Sequence, residues 1–233
     1  APADGNVMPA SRRNNPENPV MSVEAIVWDF GGVFTTSPFD AFNLFEEQQG
    51  LPRDFIRSVN AVNPTTNAWA RFESNQISLD EFDVAFARES AARGHAIPGK
   101  AVIALLAGDV RPRMVDVLKR CRADYRVACI TNNVKAGQGP TMADTPERAA
   151  AVLEVMALFE HVIESSEVGI RKPDPRIYEL ACERLGVAPD KTVYLDDLGI
   201  NLKPARALGM QTIKVVSESQ AIADLEAILG IHF

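Results

Sequence analysis

The stretch Ala25-Ile-Val-Trp-Asp29-Phe-Gly-Gly32 is a short apolar run that stops at a carboxylate followed by two glycines. A run of this length, bounded by turn residues, reads as a buried strand ending in a turn. The same grammar returns downstream. Arg126-Val-Ala-Cys-Ile-Thr131 runs into Asn132-Asn133, and Thr192-Val-Tyr-Leu-Asp196 runs into Asp197. Further strands are expected at 161–164 and at Gln211-Thr-Ile-Lys-Val-Val216. Amphipathic helices stand between them: one carrying Met114, Val117, Leu118 and Cys121, then 147–158, 174–185 and 200–208. Helices alternating with apolar strands imply parallel pairing through right-handed crossovers. The fold class is therefore α/β, a doubly wound parallel sheet. In such a sheet ligands bind beyond the carboxyl ends of the strands, where three of these strands end in polar residues.

Residues 38–107 break the alternation. No comparable strand occurs there, and Phe42, Phe45, Phe55, Ile56, Phe82 and Phe86 fall at helical spacing, interrupted by Gly50-Leu51-Pro52, Asn63-Pro64 and Gly94. Ser78 followed by Glu81 is a capping-box start. The expected organisation is a polar N-terminal arm over 1–22, a core built from 23–37 and 108–233, and a helical insertion over 38–107. Gly137-Gln-Gly-Pro140 reads as a loop.

The 233 residues include 46% hydrophobic and 24% charged side chains, an ordinary balance for a folded domain. A net charge of -7 argues against a general affinity for nucleic acid, and no apolar run approaches the ~20 residues that cross a bilayer. A small anionic substrate stays compatible with this charge, because a metal or a lysine can reverse the field inside one cleft. Cys121, Cys129 and Cys182 are sparse and without metal-ligand spacing, which fits buried thiols in a reducing compartment. With no apolar leader segment in the first twenty residues, the expected location is cytoplasmic. The expected assembly is a monomer or homodimer.

Four groups at strand ends carry potential chemistry: Asp29, Thr131 with Asn132, Lys172, and Asp196 with Asp197. Singly, each has a plain structural use. Aspartates and Thr-Asn-Asn cap helices and make turns, and a lysine before a proline is usually solvated. Together they are a different matter. Carboxylates converging from separate strands repel unless a cation is shared, and an all-oxygen site suits Mg2+. A nearby lysine would neutralise a phosphate, and a hydroxyl would take another of its oxygens. Such parts suffice for phosphoryl transfer to a carboxylate, followed by hydrolysis.

The order Asp29-Phe-Gly-Gly-Val33, Ile130-Thr-Asn-Asn133, Arg171-Lys-Pro-Asp-Pro-Arg-Ile-Tyr178 and Val193-Tyr-Leu-Asp-Asp-Leu-Gly-Ile-Asn-Leu-Lys-Pro-Ala-Arg206 resembles the haloacid dehalogenase superfamily. From about Phe159 onward the chain is most similar to the phosphatase domain fused to soluble epoxide hydrolases and to certain acyl-CoA dehydrogenases. The resemblance implies a Rossmann-like core with the helical insertion as a cap that sets substrate choice. It implies Asp29 as nucleophile and metal ligand, Gly31 as a carbonyl ligand, Asp197 as a direct ligand and Asp196 as a ligand through water. It also implies that Thr131 and Lys172 hold phosphate, and that Gly32, Asn132 and Asn201 support phosphate or the loops that carry it. The implied activity is a Mg2+-dependent phosphatase acting on a small phosphorylated metabolite.

Gly31 departs from this pattern. Phosphatases of the family usually place a second aspartate there as general acid and base, and glycine transfers no proton. Losing such help costs about 10²–10⁴ in rate. Two other readings fit the same gap: a metal-free 2-haloacid dehalogenase, and a catalytically weak phosphate-binding or regulatory protein. Thr35, Thr36, Ser37 and Phe39 either line the cleft or serve the entry to the next helix. Trp69, Arg71 and Phe72 either face substrate or pack internally. His95, His161 and His232 fall outside the motifs.

Overall fold

The structure is a computed structural model that describes residues 22–133 and 145–233. The expected arm, apart from its last residue Ser22, and the loop at 137–140 lie outside those residues. Five strands, β1 (Ala25–Trp28), β2 (Arg126–Thr131), β3 (His161–Glu164), β4 (Thr192–Asp196) and β5 (Gln211–Lys214), form one sheet in the order β3-β2-β1-β4-β5. All pairings are parallel. β5 is two residues shorter than the apolar run suggested, because the chain at Val215 and Val216 already turns toward the next helix.

Strand side chains alternate between faces, and both faces are covered. Ile26, Trp28, Val127, Cys129, Val193, Leu195 and Ile213 pack with α6 (Pro112–Asp124), α7 (Pro146–Met156) and α11 (Glu218–Leu229). Ala25, Val27, Ala128, Ile130 and Tyr194 pack with α9 (Pro175–Leu185) and α10 (Gly199–Ala207). Burial on both sides explains why these strands read as continuous apolar runs. A short helix, α8 (Ser165–Val168), follows β3. The alternation of apolar strands and helices announces neither α8 nor α11. The start of α11 nevertheless carries a legible signal, since Ser217 and Gln220 form a capping box.

The chain leaves β1 and forms α1 (Pro38–Gln48), α2 (Phe55–Asn60), α3 (Ala68–Glu73), α4 (Leu79–Ala91) and α5 (Gly99–Ile103) before returning to the sheet. These helices share a hydrophobic cluster of their own, including Phe42, Phe55, Ile56, Phe72, Phe82, Phe86 and Val102. The Ser78 capping box is present at α4, with Glu81 N–H donating to Ser78 Oγ at 3.2 Å and Ser78 N–H to Glu81 Oε2 at 2.7 Å. Buried Glu46 accepts the N–H groups of Asp54 and Ile56 at 2.7 and 2.9 Å, which holds the entry to α2. The outgoing and returning segments are clipped together. Thr35 bridges Val110, Thr36 N–H donates to the Asp109 carbonyl at 2.9 Å, and Gly108 lies so close to Thr36 that a Cβ would stand 2.8 Å from its carbonyl oxygen.

Candidate active site

The sheet reverses its winding at β1: the chain proceeds outward through β2 and β3, then returns to lay β4 against the other side of β1. The carboxyl ends beside such a reversal form a crevice. The register Trp28↔Leu195, with the Asp29 N–H bonded to the Leu195 carbonyl at 2.8 Å, brings Asp29 and Asp196 side by side. Ligand oxygens of Asp29, Asp196 and Asp197 lie within 4.8 Å of one another. This is the carboxylate convergence expected from the sequence.

Lys172 is the counter-charge, and it comes not from a strand end as expected but from the connection between α8 and α9. Its Nζ lies 2.7 Å from Asp29 Oδ1 and 2.8 Å from Asp196 Oδ2, and the side chain is 1% exposed. An ammonium has three protons, so these contacts leave one for a ligand. The two carboxylates hold the lysine pKa well above its ordinary value against the opposing effect of burial. Burial also raises the Asp29 pKa, which the Lys172 charge lowers and the Asp196 and Asp197 charges raise further. Asp197 is pushed up to about 6 by burial and by Asp196, with Lys172 and Arg111 opposing. A site that penalises its own negative charge in this way is chemically fitted to a divalent cation.

The two neighbouring aspartates differ in surroundings. Asp196 is fully buried and accepts hydrogen bonds from Tyr194 Oη, the Leu198 N–H at 2.7 Å and Asn201 Nδ2 at 3.1 and 3.0 Å. Asp197 is half-buried and lines the cavity. Asn132 brackets the backbone of Lys172, donating to its carbonyl at 3.0 Å and accepting from its N–H at 2.8 Å. Thr131, at the end of β2, is buried and lines the cavity beside it. Gly32 has φ +73°, and a Cβ there would stand 2.3 Å from Asp197 Oδ2, so glycine is what lets that carboxylate approach. Gly31 is unconstrained in this respect, with no atom within 4 Å of a Cβ.

The cavity over these groups holds about 880 Å³ and is roofed by the inserted helices. Phe39, Phe42, Trp69 and Leu106 line it from that side, as do Thr35 and Ser37, while Ser37 also caps α1. Trp69 faces the cavity and packs edge-on against Phe82, Phe72 stacks on Phe82 at 4.6 Å, and Arg71 is exposed. Among the described residues, Arg57, Arg111, Arg148, Arg171, Lys172 and Lys214 line the cavity and no histidine does. In a chain of net charge -7 these six cationic side chains outnumber the three carboxylates of the lining, Asp29, Glu73 and Asp197.

One residue of the cavity carried no sequence signal. Glu73, the last residue of α3, is buried and bonded to Arg171 Nη2 at 2.5 Å, Trp69 Nε1 at 2.7 Å and Asn132 Nδ2 at 3.4 Å. Its spacing four residues after Trp69 suits a helix face, yet nothing local says that the face meets the sheet ends.

The profile of haloacid dehalogenase-like hydrolases matches residues 23–209. The chain belongs to that family. This haloacid dehalogenase-like hydrolase is 32% identical to acyl-CoA dehydrogenase family member 10 of Mus musculus, over 90% of its own length but 19% of the relative's. It is 29% identical to bifunctional epoxide hydrolase 2 of Mus musculus, over 91% of its length and 40% of the relative's. It thus spans less than half of these two proteins. Phosphatase MT3486 of Mycobacterium tuberculosis is 30% identical over 86% of this chain and 90% of that protein. Among solved structures, a HAD family enzyme of Bacteroides thetaiotaomicron in complex with magnesium and inorganic phosphate superposes with a TM-score of 0.53 at 20% identity, covering 82% of this chain and 93% of that one. A dehalogenase with an intermediate complex gives 0.61 at 19% identity, covering 89% and 97%. These likenesses establish the Rossmann-like core. No helix among the described residues is long and apolar enough to cross a membrane.

Proposed function

We propose that this hydrolase is a Mg2+-dependent phosphatase of a small phosphorylated metabolite, working through an aspartyl-phosphate on Asp29. The observation that carries the reading is Lys172 held between Asp29 and Asp196, with Asp197 beside them at the floor of a cavity lined by cations. The phosphatase names of relatives, MT3486 and the fructose-1-phosphate phosphatase of Escherichia coli, support it.

In this mechanism the Lys172 ammonium keeps Asp29 ionised and turns its remaining proton to a phosphoryl oxygen. The Thr131 hydroxyl and the backbone N–H groups after Asp29 take the others. Asp29 attacks phosphorus in line, and the alcohol leaves toward the inserted helices, which act as the cap and exclude water. Asp29, Asp197 and the Gly31 carbonyl are the residues that would hold magnesium, with Asp196 behind them through water. When bound, the ion neutralises charge on the phosphoryl oxygens. Asn132 and Asn201 keep Lys172 and Asp196 in position.

The test is a panel of phosphate esters assayed with and without Mg2+, for the wild-type chain and Asp29→Asn. Turnover that needs both the metal and Asp29 is expected; metal-independent turnover or an active Asn variant would sink the mechanism. Gly31 also fits hydrolytic dehalogenation or phosphate binding without turnover. Halide release from a 2-haloacid without metal would favour the first, and tight phosphate binding with no product across the panel the second.

A further inference from the structure

An alkoxide is too basic to leave phosphorus near neutral pH without receiving a proton, and the water that later attacks must lose one. On the phosphatase reading above, some group in the cavity has to do both. Among the described residues, the carboxylates lining the cavity are Asp29, Asp197 and Glu73. Asp29 serves as nucleophile, and Asp197 lies at its flank. Gly31 offers no side chain.

We propose that Glu73 is the proton-transfer residue, supplied by the inserted helices instead of by the loop after the nucleophile. Its position suits the task. It ends α3 on the roof side, and an in-line displacement by Asp29 sends the leaving oxygen toward that roof. Its Oε2 lies 3.4 Å from Nδ2 of Asn132, the residue after Thr131, so the carboxyl borders the phosphate-holding loop. The Trp69 indole fixes Oε1 and Arg171 fixes Oε2, and the Glu73 carbonyl accepts from Ser165 Oγ at 2.7 Å, so both ends of the residue are held. The charged groups that face it are Arg171 and Lys172. Burial raises its pKa above the ordinary carboxylate value, and Arg171, the two hydrogen bonds and Lys172 only partly oppose this.

The steps balance. Asp29 bonds to phosphorus as the P–O bond to the alcohol breaks, and the departing oxygen takes the Glu73 proton, leaving Glu73 ionised. Glu73 then accepts a proton from water as the water oxygen bonds to phosphorus and the Asp29–phosphorus bond breaks. Phosphate is released, Asp29 is again a carboxylate and Glu73 again carries its proton.

The experiment compares 4-nitrophenyl phosphate, whose leaving group needs no proton, with benzyl phosphate, whose leaving group does, on the full chain with Mg2+. Glu73→Gln should lower kcat/KM for benzyl phosphate about 10²–10⁴-fold, lower it less than about 10-fold for 4-nitrophenyl phosphate, and remove the alkaline fall of the benzyl phosphate pH profile. Glu73→Asp should keep that fall. Arg171→Met should move it to higher pH instead of abolishing it, since a positive neighbour is lost. Equal losses on both esters with an unchanged profile, or the same result from Arg171→Met as from Glu73→Gln, would reduce Glu73 to a docking contact and overturn the proposal alone. Turnover of 4-nitrophenyl phosphate that survives Asp29→Asn would overturn the phosphatase reading and the proposal with it.

Discussion

The Asp197 carboxylate lies against the α-carbon of Gly32, in the space that any side chain at position 32 would fill. Gly32→Ala must displace that carboxylate and also hold alanine at a φ of +73°, which costs about 1–2 kcal/mol on its own. We expect it to lower turnover at least about 10-fold and to weaken the response to Mg2+. Gly31→Ala, with nothing near its new Cβ, should fold with unchanged thermal stability. Parallel melting curves and metal titrations check both.

Gly31→Asp tests the same empty space in the opposite direction. The backbone accepts a side chain there, so in the Glu73→Gln background a carboxyl placed two residues after Asp29 should raise turnover of alkyl phosphates by about 10-fold or more relative to aryl phosphates. The added negative charge should lower stability in chelator and restore it in Mg2+.

Removing Lys172 strands two buried carboxylates. Lys172→Met should abolish turnover and cost about 3–5 kcal/mol, as expected when one member of a buried ionic network is deleted. Asp29→Asn should also abolish turnover but cost little, because Asp29 ionises there against its burial. Urea unfolding in chelator separates the two.

The metal-free protein should lose stability between about pH 4 and pH 6. The folded-state pKa of Asp197 is raised to about 6 from the ordinary carboxylate value, so the folded state favours the protonated form. That contribution is complete below the unfolded pKa and disappears as pH rises through 6, a change on the order of 1–2 kcal/mol for this half-buried group. Asp197→Asn should flatten this part of the curve. Mg2+ should restore the wild-type stability lost at pH 7. Thermal melts from pH 4 to 8 in chelator provide the measurement.

The sheet is legible because strand ends are punctuated by residues that a buried strand cannot tolerate. β2 and β4 match the expected ranges residue for residue, and β3 falls at the expected place. The convergence of Asp29, Asp196 and Asp197 follows from topology plus strand ends, whereas Lys172 reaches them from the segment between α8 and α9, which no strand pattern places. α11 escapes the reading despite its cap, since its residues follow the last strand and no later strand requires a crossover. Glu73 and Glu46 are beyond reach for a stronger reason. Both are glutamates on amphipathic helices, a setting that normally means solvent, and only the packing of those helices turns them inward. Position 201 shows the intermediate case: the motif marks Asn201, while its bonds to both Asp196 oxygens require the fold.

Asp29, Thr131 and Asp196 all extend directly from the three central strands, which have neighbours on both edges and apolar layers on both faces. Backbone amides in such places open only when the whole domain does, whereas short helices such as α2, α3 and α5 exchange through cheaper local excursions. The reacting groups are thus mounted on the slowest-exchanging part of the molecule and the roof above them on faster parts. Hydrogen exchange should resolve two tiers, and on warming the hydrolase should lose discrimination among substrates before it loses the ability to bind a phosphate.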